Sequence, residues 1–172
     1  MISRLIRDEV LAKLRDGDTG INATLRLVCE EHGIEQIAFD VSDGSPQLIQ
    51  GFFEITELEG NSDFRYPLIL LYGLRSENLR RSKPAEFDGD VEVALDCWLD
   101  HAALERLDDF EHKTDALEQA LVTTFNKRGI TWKWPIAYDG EIGFERGPMR
   151  LDSNKRVWRR LLACRLKFLM RQ

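Results

Sequence analysis

The stretch Val91–Phe125, VEVALDCWLDHAALERLDDFEHKTDALEQALVTTF, contains a change of period that decides the fold. Val91, Val93, Leu95, Cys97 and Leu99 share one face, and Glu92, Ala94, Asp96, Trp98 and Asp100 share the other. A period of two belongs to a strand with one face buried. Beyond Asp100 the apolar steps become three and four, through Leu104, Leu107, Phe110, Ala116, Leu117, Ala120, Leu121 and Phe125. That spacing predicts an amphipathic helix. A strand running into a long helix is a building unit of α/β and α+β domains. Nothing in the stretch has the form of a catalytic loop.

Towards the C-terminus, Lys127 and Arg128 followed by Gly129 predict the end of this helix, with positive charge on the negative end of its dipole. Ile130 to Trp134 is short and aromatic. Tyr138 to Asp152, with Gly140, Gly143, Gly147 and Pro148, reads as an irregular arm or hairpin. The chain closes on a second alternating strand. Trp158, Leu162, Cys164, Leu166, Phe168 and Met170 line one face, with Arg160 out of pattern; Arg159, Arg165, Lys167 and Arg171 lie on the other. The acidic face of the earlier strand, Glu92 and Asp96, complements this basic face, so the two strands are expected to be neighbours.

On the N-terminal side, Pro67 to Tyr72 is dense, apolar and β-favouring, the composition of a central strand, and its expected partner is Val91 to Leu99. The charged connection between them, about residues 74–90, exceeds ordinary hairpin length and reads as a long loop, as does 135–156. Ile2, Leu5, Ile6, Val10, Leu11 and Leu14 form a helical stripe stopped near Gly17. Ile21, Leu25, Val28 and Cys29 form another, stopped at Gly33 and expected to be capped by Asp18 or Thr19. Ile34 to Val41 reads as a short strand. Gln47 to Leu58 reads as a strand with a bulge at Gly51. The whole, residues 1–172, fits one domain of mixed class, α/β or α+β, with a mainly antiparallel sheet flanked by helices.

The composition, 43% hydrophobic and 31% charged, belongs to a folded chain and excludes a wholly disordered one. The formal net charge of -6 disfavours a protein that wraps nucleic acid. Cys29, Cys97 and Cys164 are odd in number and widely spaced within apolar runs, so they are expected to be buried, reduced thiols. The charged N-terminus lacks the apolar core of a signal peptide, and no apolar run reaches membrane-spanning length, so a soluble protein made in the cytoplasm is expected.

Chemistry-bearing patterns are sparse. His32, His101 and His112 are not paired at metal-ligand spacing, G-x-S-x-G is absent, and no cofactor motif is present. G-D-T-G at 17–20 lacks the remaining glycine and lysine of a phosphate loop and reads as a helix–helix corner. The strongest enzymatic pattern is that of a metal-dependent nuclease, Asp96 with Glu111 and Lys113, which needs the carboxylates at adjacent strand ends to share Mg²⁺. Here Glu111 and Lys113 fall within a helix. Basic residues gather at Arg75, Arg80, Arg81 and Lys83, where they suit an acidic partner surface, and again from Lys155 to Arg171, where Trp158 among arginines is expected in the core, with base stacking in a nucleic-acid-binding protein as the alternative.

The order of elements resembles a family. An N-terminal helix, the strand Tyr66-Pro67-Leu68-Ile69-Leu70-Leu71-Tyr72-Gly73, a long connection, the strand 91–99, the helix 104–126, an irregular aromatic stretch and a C-terminal strand opened by Trp158 follow one another. This is similar to the tail terminator, or tail-completion, proteins of long-tailed bacteriophages and prophages. The resemblance implies a non-enzymatic virion protein without cofactors, assembling as a hexameric ring at the head-proximal end of the tail. Such a ring caps the tail-tube protein, ends tube polymerisation and offers a surface to the head connector or neck protein, with DNA passing through its lumen unbound. A head–tail connector is the alternative within that setting. Arg75, Arg80, Arg81, Lys83, Trp134, Tyr138, Arg146 and Arg150, on the two long connections, are the expected oligomer or partner contacts.

Overall fold

A computed structural model describes residues 2–59, 61–83, 86–101 and 107–170, without the side chains of Ile2, Ile55, residues 81–83, residues 86–87 and Leu107. In chain order these form helix α1 (Ile2–Arg15), helix α2 (Ile21–His32), strand β1 (Leu48–Ile49), the single-turn helix α3 (Ile55–Leu58), strand β2 (Leu68–Lys83), strand β3 (Glu86–His101), helix α4 (Leu107–Asn126), strand β4 (Ile136–Asp152) and strand β5 (Val157–Met170). The sheet order is β1-β2-β3-β5-β4, antiparallel except where β1 joins β2. The class is therefore mixed α+β, with β3 and β5 at the centre.

The alternation in β3 and β5 does what a period of two requires. Val91, Val93, Leu95, Cys97 and Leu99, with Leu162, Cys164, Leu166, Phe168 and Met170, pack against Ile6, Val10 and Leu14 of α1, Leu25 and Val28 of α2, and Phe110, Leu117, Leu121 and Phe125 of α4. This is the principal core. A smaller one on the opposite sheet face joins Leu68, Leu70 and Trp98 to Leu58 and Phe64, so the chain on either side of residue 60 folds back over the β2 side of the sheet. All three cysteines are free and buried, and burial pushes the thiols of Cys97 and Cys164 well up, away from reactive thiolates.

The α1–α2 corner is tight. Helix α2 starts at Gly20, where an added Cβ would lie 2.2 Å from Asp16 O and 2.5 Å from Leu14 O, so backbone leaves no room for a side chain. The expected capping by Asp18 or Thr19 is corrected: the cap position is Gly20 and no side chain bonds there. Asp16 instead accepts the N–H groups of Asp18 (2.9 Å) and Thr19 (2.8 Å), and these bonds hold its carboxyl below the usual range. Gly33 closes α2 in the left-handed region (φ 64°), as its position at the end of the apolar stripe predicts.

Several expectations from the sequence change. The connections at 74–90 and 135–156 are not long loops. Residues 74–83 continue β2 and 86–90 begin β3; β4 occupies Ile136–Asp152, leaving a short turn before β5. The β2–β3 extension pairs Arg75 with Glu92, Arg80 with Asp88 and Lys83 with Glu86. It lies beyond the helix layer, with residues 73–80 exposed, so it lacks the buried face whose apolar alternation would announce a strand. In β4, register shifts at 138–142 and 146–149 and the positive φ of Gly140 (76°) interrupt the pattern. Ile34 to Val41 is extended but joins no strand. Of Gln47–Leu58, only Leu48–Ile49 pairs, and Ile55–Leu58 is helical. The Leu104 start expected for α4 lies outside the described residues.

Candidate assembly surfaces

Two features dominate the exposed surface. The first is a two-stranded arm. Strand β5 pairs with β3 only from Gly89 onwards, so beyond that point β2 and β3 continue as a ribbon with no further neighbour among the described residues. Gly89 permits this close pairing: a Cβ there would meet Leu79 Cδ2 at 2.5 Å and Glu77 O at 3.0 Å. The ribbon is largely polar, with Leu79 exposed on it and Leu74 exposed at its base, where β5 still pairs with β3. Where it leaves the sheet, a cleft of about 270 Å³ brings Arg75, Glu77, Asp90, Glu92, Asp139 and Lys167 together. Arg75 is ion-paired with Glu77, and Asn78 donates to Asp90 at 2.8 Å.

The second is a pair of open sheet edges. Strand β4, 17 residues long, pairs on one side with β5 and is the last strand of the sheet. At the other edge, β1 covers β2 only opposite Ile69 and Leu70. A long strand with unpaired N–H and C=O groups along one side is a template for pairing with another chain. Two side chains brace β4 and β5 against α4. Arg146 reaches Glu118 (2.6 Å), Asp115 (2.7 Å) and Glu111 (3.2 Å), which raises its pKa further, and Arg160 binds Glu111 and Gly147 O (3.0 Å). Arg160, out of pattern by sequence, thus lies on the helix face as a strut.

The expected contact residues separate into groups. Arg80 lies on the arm, Arg75 at its base and Arg150 on β4, all exposed; Arg81 and Lys83 hold strand positions on the arm, but their side chains lie outside the described ones. Trp134 is 73% exposed, just before the cis Trp134–Pro135 bond. Tyr138 instead packs its ring on Trp132 and Phe168, with centroids 5.3 Å from both, and its hydroxyl is buried without a partner among the described residues. Arg146 is engaged by α4, as given above.

The face opposite the helices carries two ion-pair networks. Asp96 accepts from Tyr72 Oη and from Arg165, both at 2.7 Å, and β3 and β5 are neighbours, as the complementary charges predict. Arg165 donates to Asp96 and to the carbonyl of Cys164 (3.1 Å), while Lys167 turns to Glu141 (2.9 Å). The second network is one that sequence reasoning missed. Arg159, with no exposed side-chain surface, donates to Tyr66 Oη (2.7 Å), pairs with Glu59, faces the fully buried Asp152 at 3.6 Å and lies over the Trp98 ring. Burial pushes the Tyr66 hydroxyl up to about 12. Asp152 also accepts the N–H groups of Asn154 and Lys155, so the β4–β5 turn and the segment 59–66 lock onto the sheet together. The only sequence signal was Arg159 itself, and an arginine on an alternating strand ordinarily marks a solvated face.

The nuclease pattern does not assemble. Asp96 lies on the face opposite α4, bound by Tyr72 and Arg165, while Glu111 is held by Arg146 and Arg160, and Lys113 by Glu35 (2.9 Å) and His101 (3.4 Å). Among the described residues, no group of three or more His, Cys, Asp or Glu side chains is placed to hold a metal ion. No helix among them is long and apolar enough to cross a membrane. Compared with models of protein families and with curated proteins, the chain matches none.

Proposed function

We propose that this chain is a structural virion protein of a long-tailed phage or prophage, a tail terminator that assembles as a hexameric ring on the end of the tail tube. The observation that carries the proposal is the open sheet with a 17-residue edge strand at one side and the largely uncovered β2 at the other. Two different edges joined between copies make a heterologous contact, which closes into a ring when the rotation per subunit is right. The long helices α1, α2 and α4 pack on one face, and the other, beside α3, is left to line a lumen. The net charge of -6 suits a wall that lets DNA pass without trapping it. In this reading the β2–β3 arm, carrying Arg80, Arg81 and Lys83 with Arg75 at its base, reaches towards the tail-tube protein or the head connector. A head–tail connector role rests on the same edges.

The test is assembly of a purified tail-tube protein with and without this chain, followed by electron microscopy. The proposal expects shorter tubes with a ring of added density at one end. Tubes of unchanged length with bare ends would contradict it.

A further inference from the structure

The segment after α2 has a geometry that the sheet does not use. Residues 34–41 run extended, with Ile37 and Phe39 buried and Glu35, Gln36, Ala38 and Asp40 exposed. Side chains, not a neighbouring strand, hold its far end in place. Asn22 brackets Phe39, donating to its carbonyl (2.6 Å) and accepting its N–H (2.9 Å), while Arg15 binds Val41 O and Gln47 accepts the N–H of Asp40. The main-chain groups of residues 35–38 have no hydrogen-bond partner among the described residues. They form a short strand edge, fixed and unpaired.

That edge borders a groove of about 970 Å³, whose other wall includes Leu99, Asp100, His101 and Lys113. Lys113 donates to Glu35 (2.9 Å) and to His101 Nδ1 (3.4 Å). An ammonium group has only donors, so Nδ1 is the acceptor and Nε2 of the neutral ring carries the proton. That Nε2–H is buried with no acceptor among the described residues. Asp100 beside it is a half-buried carboxylate on the groove wall, with Lys113 nearby. Burial raises its pKa, and Lys113 offsets part of that rise. With Glu35 paired to Lys113, Asp100 is a carboxylate of the lining that faces the groove beside that pair. Buried polar groups left unpaired in a folded protein call for a specific explanation.

We propose that this groove docks an extended, basic peptide segment of a partner protein, which adds as a strand along residues 35–38 and sets a lysine or arginine against Asp100. Strand addition supplies main-chain bonds for affinity, and the pocket beside the edge supplies specificity. The peptide's carbonyl row offers the acceptor that His101 Nε2–H lacks, and its cationic side chain pairs with the half-buried Asp100 carboxylate.

The experiment uses three fluorescein-labelled octapeptides: four Lys-Val repeats, four Glu-Val repeats, and the Lys-Val peptide N-methylated at alternate main-chain nitrogens. Each is titrated with the full chain and with D100N, and anisotropy is read. The expected result is binding of the Lys-Val peptide, weakened about tenfold or more by the Glu-Val change, by N-methylation and by Asp100→Asn alike. Three results would each overturn the proposal. One is no binding of the Lys-Val peptide at about 1 mM chain. Another is equal binding of the lysine and glutamate peptides. The last is binding untouched by both N-methylation and Asp100→Asn, the mark of general adsorption of a cation to an acidic protein.

Discussion

Arg159 shows how one side chain can tie three segments together. Its guanidinium spans the β5 strand, the 59–66 segment through Glu59 and Tyr66, and the β4–β5 turn through Asp152. Taking one charge from a buried pair leaves the other desolvated and unmatched, at a cost of about 3–5 kcal/mol. Arg159→Met should therefore lower the unfolding free energy by that amount in urea titrations. A loss below about 1 kcal/mol, the scale of an exposed pair, would show that the network is not sealed from water. Asp100 is the opposite case, a group whose charge works against the fold. Its folded pKa lies above the ordinary value of about 3.9, so the native state holds the proton more tightly than the unfolded chain. The stabilising contribution of the protonated form is complete below that ordinary value and is lost as pH rises through the folded one. Asp100→Asn should then melt higher than the parent at pH 7, the gap closing as the pH falls below about 4. A variant that melts lower at pH 7 would contradict this. The sequence exposed one of the two networks on the outer sheet face. The Asp96–Arg165 pair was readable because a period of two put acid and base on facing strands. Arg159 was not, because what buries it is a loop folding back from a hundred residues away.

At the scale of elements, the central strands and the three long helices were legible, since each buries one face and prints the matching period. The β3–β5 pairing also followed from charge. The structure sharpens that pairing into a specific test, because Asp96 lies opposite Ala163 and bonds diagonally to Arg165. Asp96→Lys should destabilise the protein, and Arg165→Asp in the same chain should return part of the loss, with a coupling of about 0.5–3 kcal/mol in a double-mutant cycle. Additive effects would show that the ion pair contributes nothing to the strand register. What could not be read were the elements without a buried face. The arm residues 74–83 and 86–90 are mostly polar, with pairs such as Arg80 and Asp88, and a polar run of that kind looks like a loop. Strand β4 was obscured differently: its inward residues Ile136, Tyr138, Ile142, Phe144 and Met149 fall out of step at two register shifts. Residues 34–41 gave the reverse error, an alternating segment that no strand pairs.

For the molecule as a whole, the helices and sheet close on one principal core, while the β4 edge, most of the β2 edge and the arm have no further neighbouring strand among the described residues. The ring proposal turns those open edges into contacts between copies, and it makes β4 the place to interrupt them. Gly143 on β4 has open space where a Cβ would stand, so a side chain is tolerated in the single subunit. Lysine on an exposed edge opposes strand pairing between chains. Gly143→Lys should therefore leave the melting temperature of the subunit unchanged and shift assembly to higher protein concentration, both followed by scanning fluorimetry and sedimentation. A variant that assembles like the parent would move the contact away from the β4 edge. The most direct measurement is the solution mass across a wide concentration range, by light scattering behind size exclusion, in the presence of tail-tube ends. Six copies of the 19.9 kDa chain correspond to about 119 kDa, and the account predicts growth towards that discrete mass. A stable dimer with no larger species under those conditions would contradict it.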